Sequence, residues 1–273
     1  MKYCRFLHHG HIRYGTVDEN NGDLWITALA PAPAEDMDYR LAVEQGHAGS
    51  FDNFVPLPLN DAELLPPVTP SKIVCVGRNY REHAQELGNE IPSNPVLFLK
   101  PPSSLLSPGG TVRLPAVSER VDYEGELALI ISRRARNLPP DANWREFVRG
   151  FTLANDITAR DLQNTDAQWF RAKGFDTFCP VGPIVSDELD LDGGLTIETH
   201  LNGELCQRGS SLDFIFPVPL LLSLITSVLT LEPGDLVLTG TPSGVGKLSH
   251  GDHVEVSMDG LGKLRNPVEA ESS

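Results

Sequence analysis

The chain has 273 residues, of which 40% are hydrophobic, and a formal net charge of −15. This is enough apolar material for one sizeable core plus a small accessory unit, and it excludes a compositionally disordered chain. The acidic excess argues against nucleic-acid and anionic-membrane binding, both of which need a basic face, so an anionic ligand requires a local cationic pocket.

From Met1 to Pro67, short apolar patches (Leu24-Trp25-Ile26, Phe54-Val55-Pro56-Leu57) alternate with Asn-Gly and Pro-rich punctuation, which predicts a small β-rich unit over 1–67. His8, His9 and His11 read as a surface run rather than a metal site. The stretch from Leu64 to Pro70 reads as a stiff connector into a second unit, 68–273. Strand-like runs follow at 73–76, 96–99, 127–131, 195–201, 236–238 and 253–256, with few clean βαβ alternations. The fold class expected is therefore mixed and mostly β, largely antiparallel. Between the first two runs, Asn79 to Leu87 suits a short helix stopped by Gly88. On it, His83 and Glu86 are three residues apart and share a face. A carboxylate beside an imidazole raises its basicity and fixes its tautomer, as a base acting on water requires, although an exposed pair without function has the same spacing. The longest apolar run, Pro219 to Leu231, is shorter than the roughly 20 residues that span a bilayer and reads as a buried helix. The four cysteines form no CxxC and no secretory signal precedes them, which fits reduced thiols in a cytoplasm.

The acids carry the chemistry. In Val121-Asp122-Tyr123-Glu124-Gly125-Glu126-Leu127, strand alternation sends Glu124, Glu126 and also Asp122 to one face of a segment whose far end is core. Like charges held that close need a cation between them or a fully wet strand edge. A second strand, Phe151 to Asp156, ends in another acid, though Asn155 or Asp156 could instead cap a short helix over 157–163. Carboxylates from two strands match a hard, oxygen-preferring divalent ion, Mg²⁺ or Mn²⁺ and less well Ca²⁺, while the lack of paired His and Cys ligands disfavours zinc. A non-catalytic module holding such an ion for stability is the alternative. Thr239 to Lys247 is not a phosphate-binding loop: the glycine spacing is one too long and Leu248 replaces the required Ser or Thr. It reads as a turn after the Leu236-Val237-Leu238 strand, with backbone amides and the Thr241 hydroxyl close to a small ligand.

In this order, Gly77-Arg78-Asn79-Tyr80 with His83 and Glu86, Phe98-Leu99-Lys100-Pro101, Tyr123-Glu124-Gly125-Glu126-Leu127, Asn155-Asp156 with Thr158-Ala159-Arg160-Asp161 and Gln163, Lys173, Asn202-Gly203 and Thr239-Gly240-Thr241-Pro242 resemble the fumarylacetoacetate hydrolase family. The resemblance covers Ser71 to Val268. The first seventy residues resemble, more loosely, the N-terminal extension of bacterial members in the acylpyruvase and 2-hydroxyhepta-2,4-diene-1,7-dioate isomerase-like branch.

The resemblance implies a rolled, mixed β-sheet and a homodimer, in the cytoplasm that the cysteines suggest. It assigns Glu124, Glu126 and Asp156 to Mg²⁺ or Mn²⁺, with Lys173 near the ion and the substrate oxygens. Tyr80, Gln163, Gly240 and Thr241 fall at substrate-contacting positions. Arg78 and Arg160 would pair with a substrate carboxylate or form structural salt bridges. His83 and Glu86 match a dyad on a mobile lid, and the lid from Leu87 to Pro95 together with the N-terminal unit would read the substrate's tail. The expected activity is hydrolysis of a C–C bond in a 2,4-dioxo acid through a metal-stabilised enolate, the dyad activating water. Isomerisation of a hydroxydienedioate, or decarboxylation of oxaloacetate, on the same site is the alternative.

Overall fold

Leu127 to Ile131 is apolar at every position rather than alternating, and such a run must be covered on both faces. In the computed structural model, which describes residues 1–33, 36, 54–86 and 92–271, it belongs to the strand Gly125–Ile131, buried throughout near the middle of a 12-stranded sheet. Leu127, Leu129 and Ile131 face one core with Leu221, Leu222 and Ile225 of the helix Val218–Val228. Ala128 and Ile130 face a second core with Ile73, Cys75 and Val181.

Val148–Asn155 and Leu236–Leu238 flank this strand antiparallel, and Leu236–Leu238 pairs parallel with Ile73–Gly77, whose other neighbour, Val96–Lys100, ends the row. In the other direction the sheet runs through Cys179–Ser186 into Lys2–His8, His11–Asn20 and Asp23–Ala30. The mixed, mostly β expectation is met. The expected units 1–67 and 68–273 nevertheless share this sheet, through Lys2 opposite Ser186 and Tyr3 opposite Val185. The expected connector also gives way at its start, because Leu64 and Leu65 pair with Phe6 and Arg5 as a strand. Among the described residues, a five-stranded sheet (Glu204–Ser210, Thr196–Leu201, His253–Met258, Gly262–Ala270, Val112–Leu114) and a three-stranded one (Thr158–Ala159, Val121–Tyr123, Gly246–Lys247) complete the β framework.

Three local expectations are corrected. The segment from Val121 to Ile131 is not one strand: it breaks at Glu124, because Val121–Tyr123 leaves the large sheet to pair with Thr158–Ala159 and Gly246–Lys247. Neither Asn155 nor Asp156 caps a helix, since Thr158–Ala159 is a strand and the helix begins only at Arg160, running to Thr165. The Val218–Val228 helix is buried on one face only, with Leu220 and Val228 exposed. No helix among the described residues is long and apolar enough to cross a membrane. All four cysteines are free; burial pushes the thiols of Cys4 and Cys179 up to about 12 and that of Cys75 well above its ordinary value, so these three are poor nucleophiles. The histidine run lies at a hairpin, where His9 takes a left-handed φ of 51° between His8 and Gly10.

Candidate metal and substrate site

Register builds the acidic cluster. Gly125 lies opposite Asn155 in the antiparallel pair, so Glu124 and Asp156 fall next to each other, joined by an Asp156 N–H to Glu124 carbonyl bond of 2.8 Å. Glu126, two residues along, returns to the same face. Glu124, Glu126 and Asp156 are 4%, 2% and 1% exposed, and one ligand oxygen of each lies within 4.8 Å of the others. Asp122 does not join them. Beyond the break at Glu124 its two oxygens accept from Arg120 at 2.9 and 3.2 Å, and the second also accepts from Arg160 at 2.9 Å.

Gly125 sets the spacing of the two glutamates against the five-stranded sheet: a Cβ there would stand 2.1 Å from Thr199 Oγ1 and 3.2 Å from Val256. Gly125→Ala should therefore destabilise the fold by about 1–3 kcal/mol, as overpacking does. It should also weaken divalent-ion binding, because the strand carrying both acids must shift. Urea denaturation and ion titration check the two effects; unchanged ion affinity would show that the acids tolerate the displacement.

Fixed donors surround the cluster. Lys173 Nζ bridges Glu124 Oε2 at 2.7 Å and Asp156 Oδ2 at 2.5 Å, while lying 4.8 Å from the Phe98 ring centre. Lys100 Nζ donates to Asp156 Oδ1 at 2.6 Å and to the Ile157 carbonyl at 3.1 Å. Arg160 donates to Glu124 Oε1, to Asp122 and, at 2.5 Å, to Gln163 Oε1. Burial opposes the charge of Glu124, yet the Lys173 and Arg160 cations hold its carboxyl well below the ordinary range. Lys173 is buried too, and Asp156 and Glu124 outweigh that burial and raise its pKa.

Glu126 differs. Among the described residues its carboxylate accepts one hydrogen bond, 2.7 Å from the Gly240 N–H, and burial, Asp156 and Glu124 together raise its pKa well above the carboxylate range. A buried acid pressed by two others and answered by a single amide is a place for a cation. The all-oxygen donor set, with Glu126 answered by one amide alone among the described residues, fits a hard divalent ion.

The cluster floors a cavity of about 540 Å³ whose wall includes Arg78, His83, Glu86, Arg120, Arg160, Gln163, Trp169 and Thr241. His83 and Glu86 belong to the helix Arg81–Glu86, with His83 Nδ1 3.3 Å from Glu86 Oε2. The attractive arrangement has Nδ1–H donating to the carboxylate, which leaves Nε2 as the basic nitrogen. Glu86 is held in turn by the Gly244 N–H at 3.0 and 3.2 Å. The glycine amides of the 239–247 loop thus serve protein carboxylates, Gly240 serving Glu126 and Gly244 serving Glu86. Sequence had expected them to meet a ligand. Both glycines need their positive φ, 99° and 98°, and a Cβ on Gly244 would sit 2.0 Å from the Cys206 carbonyl.

Of the expected substrate contacts, Gln163 and Thr241 line the cavity, and Tyr80 and Gly240 do not. The Tyr80 ring packs edge-on against Phe214 at 5.2 Å. The Thr241 hydroxyl donates to the Gly125 carbonyl at 2.9 Å and accepts from Gln207 at 2.8 Å. Arg160 spends its three nitrogens on protein acceptors, which makes it a strut of the site. Arg78, at a left-handed φ of 59°, lines the cavity with no hydrogen bond or ion pair among the described residues. Leu87 to Ile91, most of the expected lid, lie outside the described residues.

Sequence reasoning assigned no role to Lys100, Gln207 or Arg120. Lys100 had left a signal: a lysine closing the apolar run Val96-Leu97-Phe98-Leu99, beside Pro101, is placed to answer a buried acid.

Comparison with known proteins shows what the chain is similar to. Residues 72–269 match the family described as "Fumarylacetoacetate (FAA) hydrolase C-terminal", and residues 1–67 match "Rv2993c-like, N-terminal". The oxaloacetate tautomerase YisK of Bacillus subtilis is 41% identical over 224 residues, 77% of this chain and 74% of its own. The mitochondrial oxaloacetate tautomerase FAHD1 of Arabidopsis thaliana is 42% identical over 204 residues, 73% of this chain and 91% of its own. The crystal structure of a 2-hydroxyhepta-2,4-diene-1,7-dioate isomerase from Mycobacterium marinum superposes with a TM-score of 0.84 at 35% identity, covering 100% of both chains. With a family match over residues 72–269, more than half of the chain, and relatives above 40% identity, the chain belongs to the fumarylacetoacetate hydrolase family.

Proposed function

We propose that this protein is a divalent-metal-dependent enzyme that moves a proton at carbon 3 of a small 2-oxo dicarboxylic acid, interconverting keto and enol or double-bond isomers. The observation that carries this reading is that a carboxylate-oriented imidazole, His83 on Glu86, opens onto the same cavity as the acidic cluster of Glu124, Glu126 and Asp156. The isomerase and tautomerase names of the relatives support it.

Held by Glu124, Glu126 and Asp156, Mg²⁺ or Mn²⁺ would act as a Lewis acid that offsets negative charge growing on the substrate's oxygens. His83 Nε2 takes the proton from carbon 3, and Glu86 steadies the imidazolium so formed. The same nitrogen returns the proton to the oxygen of carbon 2, or further along a conjugated chain. Arg78, which has no hydrogen bond or ion pair among the described residues, offers its guanidinium to a substrate carboxylate, and the Gln163 amide, its oxygen already taken by Arg160, has N–H groups to offer a second oxygen.

The dyad also suits a second reading, in which His83 activates water to cleave a 2,4-dioxo acid. Proton NMR in D₂O with Mg²⁺ separates the two. Deuterium entering carbon 3 of oxaloacetate faster than in a metal-chelated control supports proton transfer. Pyruvate released from an acylpyruvate, with no exchange into oxaloacetate, assigns hydrolysis instead.

A further inference from the structure

Each carboxylate of the cluster has one oxygen occupied by a donor that belongs to a different element. Glu124 Oε1 accepts from Arg160 Nη2, on the helix Arg160–Thr165. Glu126 Oε2 accepts from the Gly240 N–H at 2.7 Å, in the loop after Leu236–Leu238. Asp156 Oδ1 accepts from Lys100 Nζ at 2.6 Å, at the end of the strand Val96–Lys100. The oxygens left over are Glu124 Oε2, Glu126 Oε1 and Asp156 Oδ2. The first and third carry the ammonium of Lys173, at 2.7 and 2.5 Å. Of these three only Glu126 Oε1 has no donor among the described residues, so an ion entering here takes the place of the Lys173 ammonium at Glu124 Oε2 and Asp156 Oδ2, and the second oxygen of each acid stays turned to a fixed donor.

That arrangement selects among ions. A small octahedral ion takes single carboxylate oxygens at close range and fills its other positions with water or substrate oxygens. Ca²⁺ prefers more ligands at longer distances and commonly takes a carboxylate through both oxygens. Lys100 is the donor that isolates this effect. Arg160 also holds Asp122 and Gln163, and the Gly240 amide cannot be removed by changing a side chain. Lys100 is 1% exposed, and its ammonium touches only Asp156 and the Ile157 carbonyl among hydrogen-bond acceptors of the described residues.

Building on the reading that Glu124, Glu126 and Asp156 hold a divalent ion, we propose that Lys100 is a positioning residue that makes Asp156 a one-oxygen ligand and so sets the preference for Mg²⁺ or Mn²⁺ over Ca²⁺. Its role is not that of a bulk counter-charge, since Lys173 already supplies one to the same carboxylate.

The test is calorimetric titration of the full chain, stripped of metal by a chelator, with Mn²⁺ and with Ca²⁺. Wild type should bind Mn²⁺ more tightly. Lys100→Met, which keeps the volume and removes the donor, should lose about 10–100-fold in Mn²⁺ affinity, the usual effect of removing an outer partner of a ligand. Its Ca²⁺ affinity should fall far less, so the ratio between the ions collapses. Lys100→Gln, which keeps an N–H for Asp156 Oδ1 without the charge, should retain most of that ratio. An equal loss for both ions in Lys100→Met overturns the proposal and leaves Lys100 a charge-balancing residue. Should Lys100→Met fail to fold, wild type and Lys100→Gln decide: a collapsed ratio in Lys100→Gln, or wild type binding Ca²⁺ as tightly as Mn²⁺, overturns it as well. If wild type takes up neither ion, the reading of the acidic cluster falls and the role of Lys100 with it, a result distinct from an altered ratio.

Discussion

Glu126→Gln should make the metal-free protein more stable while abolishing its response to Mg²⁺. The native side chain is a buried acid facing two others with one amide donor, and a neutral amide of the same shape removes that repulsion. Relieving one poorly answered buried charge is worth about 1–3 kcal/mol. The glutamine keeps an oxygen for the Gly240 N–H, so packing is preserved. Wild type should melt at a higher temperature as Mg²⁺ is added, by an amount corresponding to about 2.7 kcal/mol when the ion is at 100 times its dissociation constant. The variant should show no such rise, and its turnover should fall to background. Melting curves with and without Mg²⁺ read both halves together. A variant less stable than wild type in chelator, and still stabilised by Mg²⁺, would show that Glu126 is an ordinary buried acid.

His83→Ala should reduce turnover by about 10²–10⁴-fold, the usual contribution of a positioned general base. Ion affinity should change little, because His83 is not among the cluster's ligands and Lys173, Lys100 and Arg160 keep the acids in place. Glu86→Gln should cost less, since the Gly244 N–H can still hold the side-chain oxygen and the imidazole keeps its place. A His83→Ala protein with full turnover would remove the base from the proposed chemistry. One that lost Mg²⁺ binding in proportion to activity would make His83 a structural support of the acids.

Much of the site could be read from strand periodicity, and the exceptions have physical causes. Alternation placed Glu124 and Glu126 together correctly because Gly125 lies between them in an extended segment paired to Asn155. It failed for Asp122, two residues further back, because the chain changes sheets at Glu124. Local spacing cannot foresee a change of partner. Asp156 was legible as an acid at a strand end, but its alternative as a helix cap is settled only by the pairing of Val121 with Ala159, which keeps 158–159 extended. Arg160 could not be divided between substrate and scaffold from sequence, since its acceptors, Asp122, Glu124 and Gln163, converge only in three dimensions. The loop glycines were recognised for their conformational freedom, whereas the recipients of their amides, Glu126 and Glu86, lie more than a hundred residues away in the chain.

The seam between Lys2–His8 and Cys179–Ser186 bears on how the molecule could be divided. The strand that receives the N-terminal residues also borders Val148–Asn155, at whose end Asp156 stands. Excising the first 67 residues would bare a row of peptide N–H and C=O groups one strand away from the strand leading to Asp156, an open edge that invites self-association. The match boundary after residue 67 thus falls within a chain whose strands on both sides belong to one sheet.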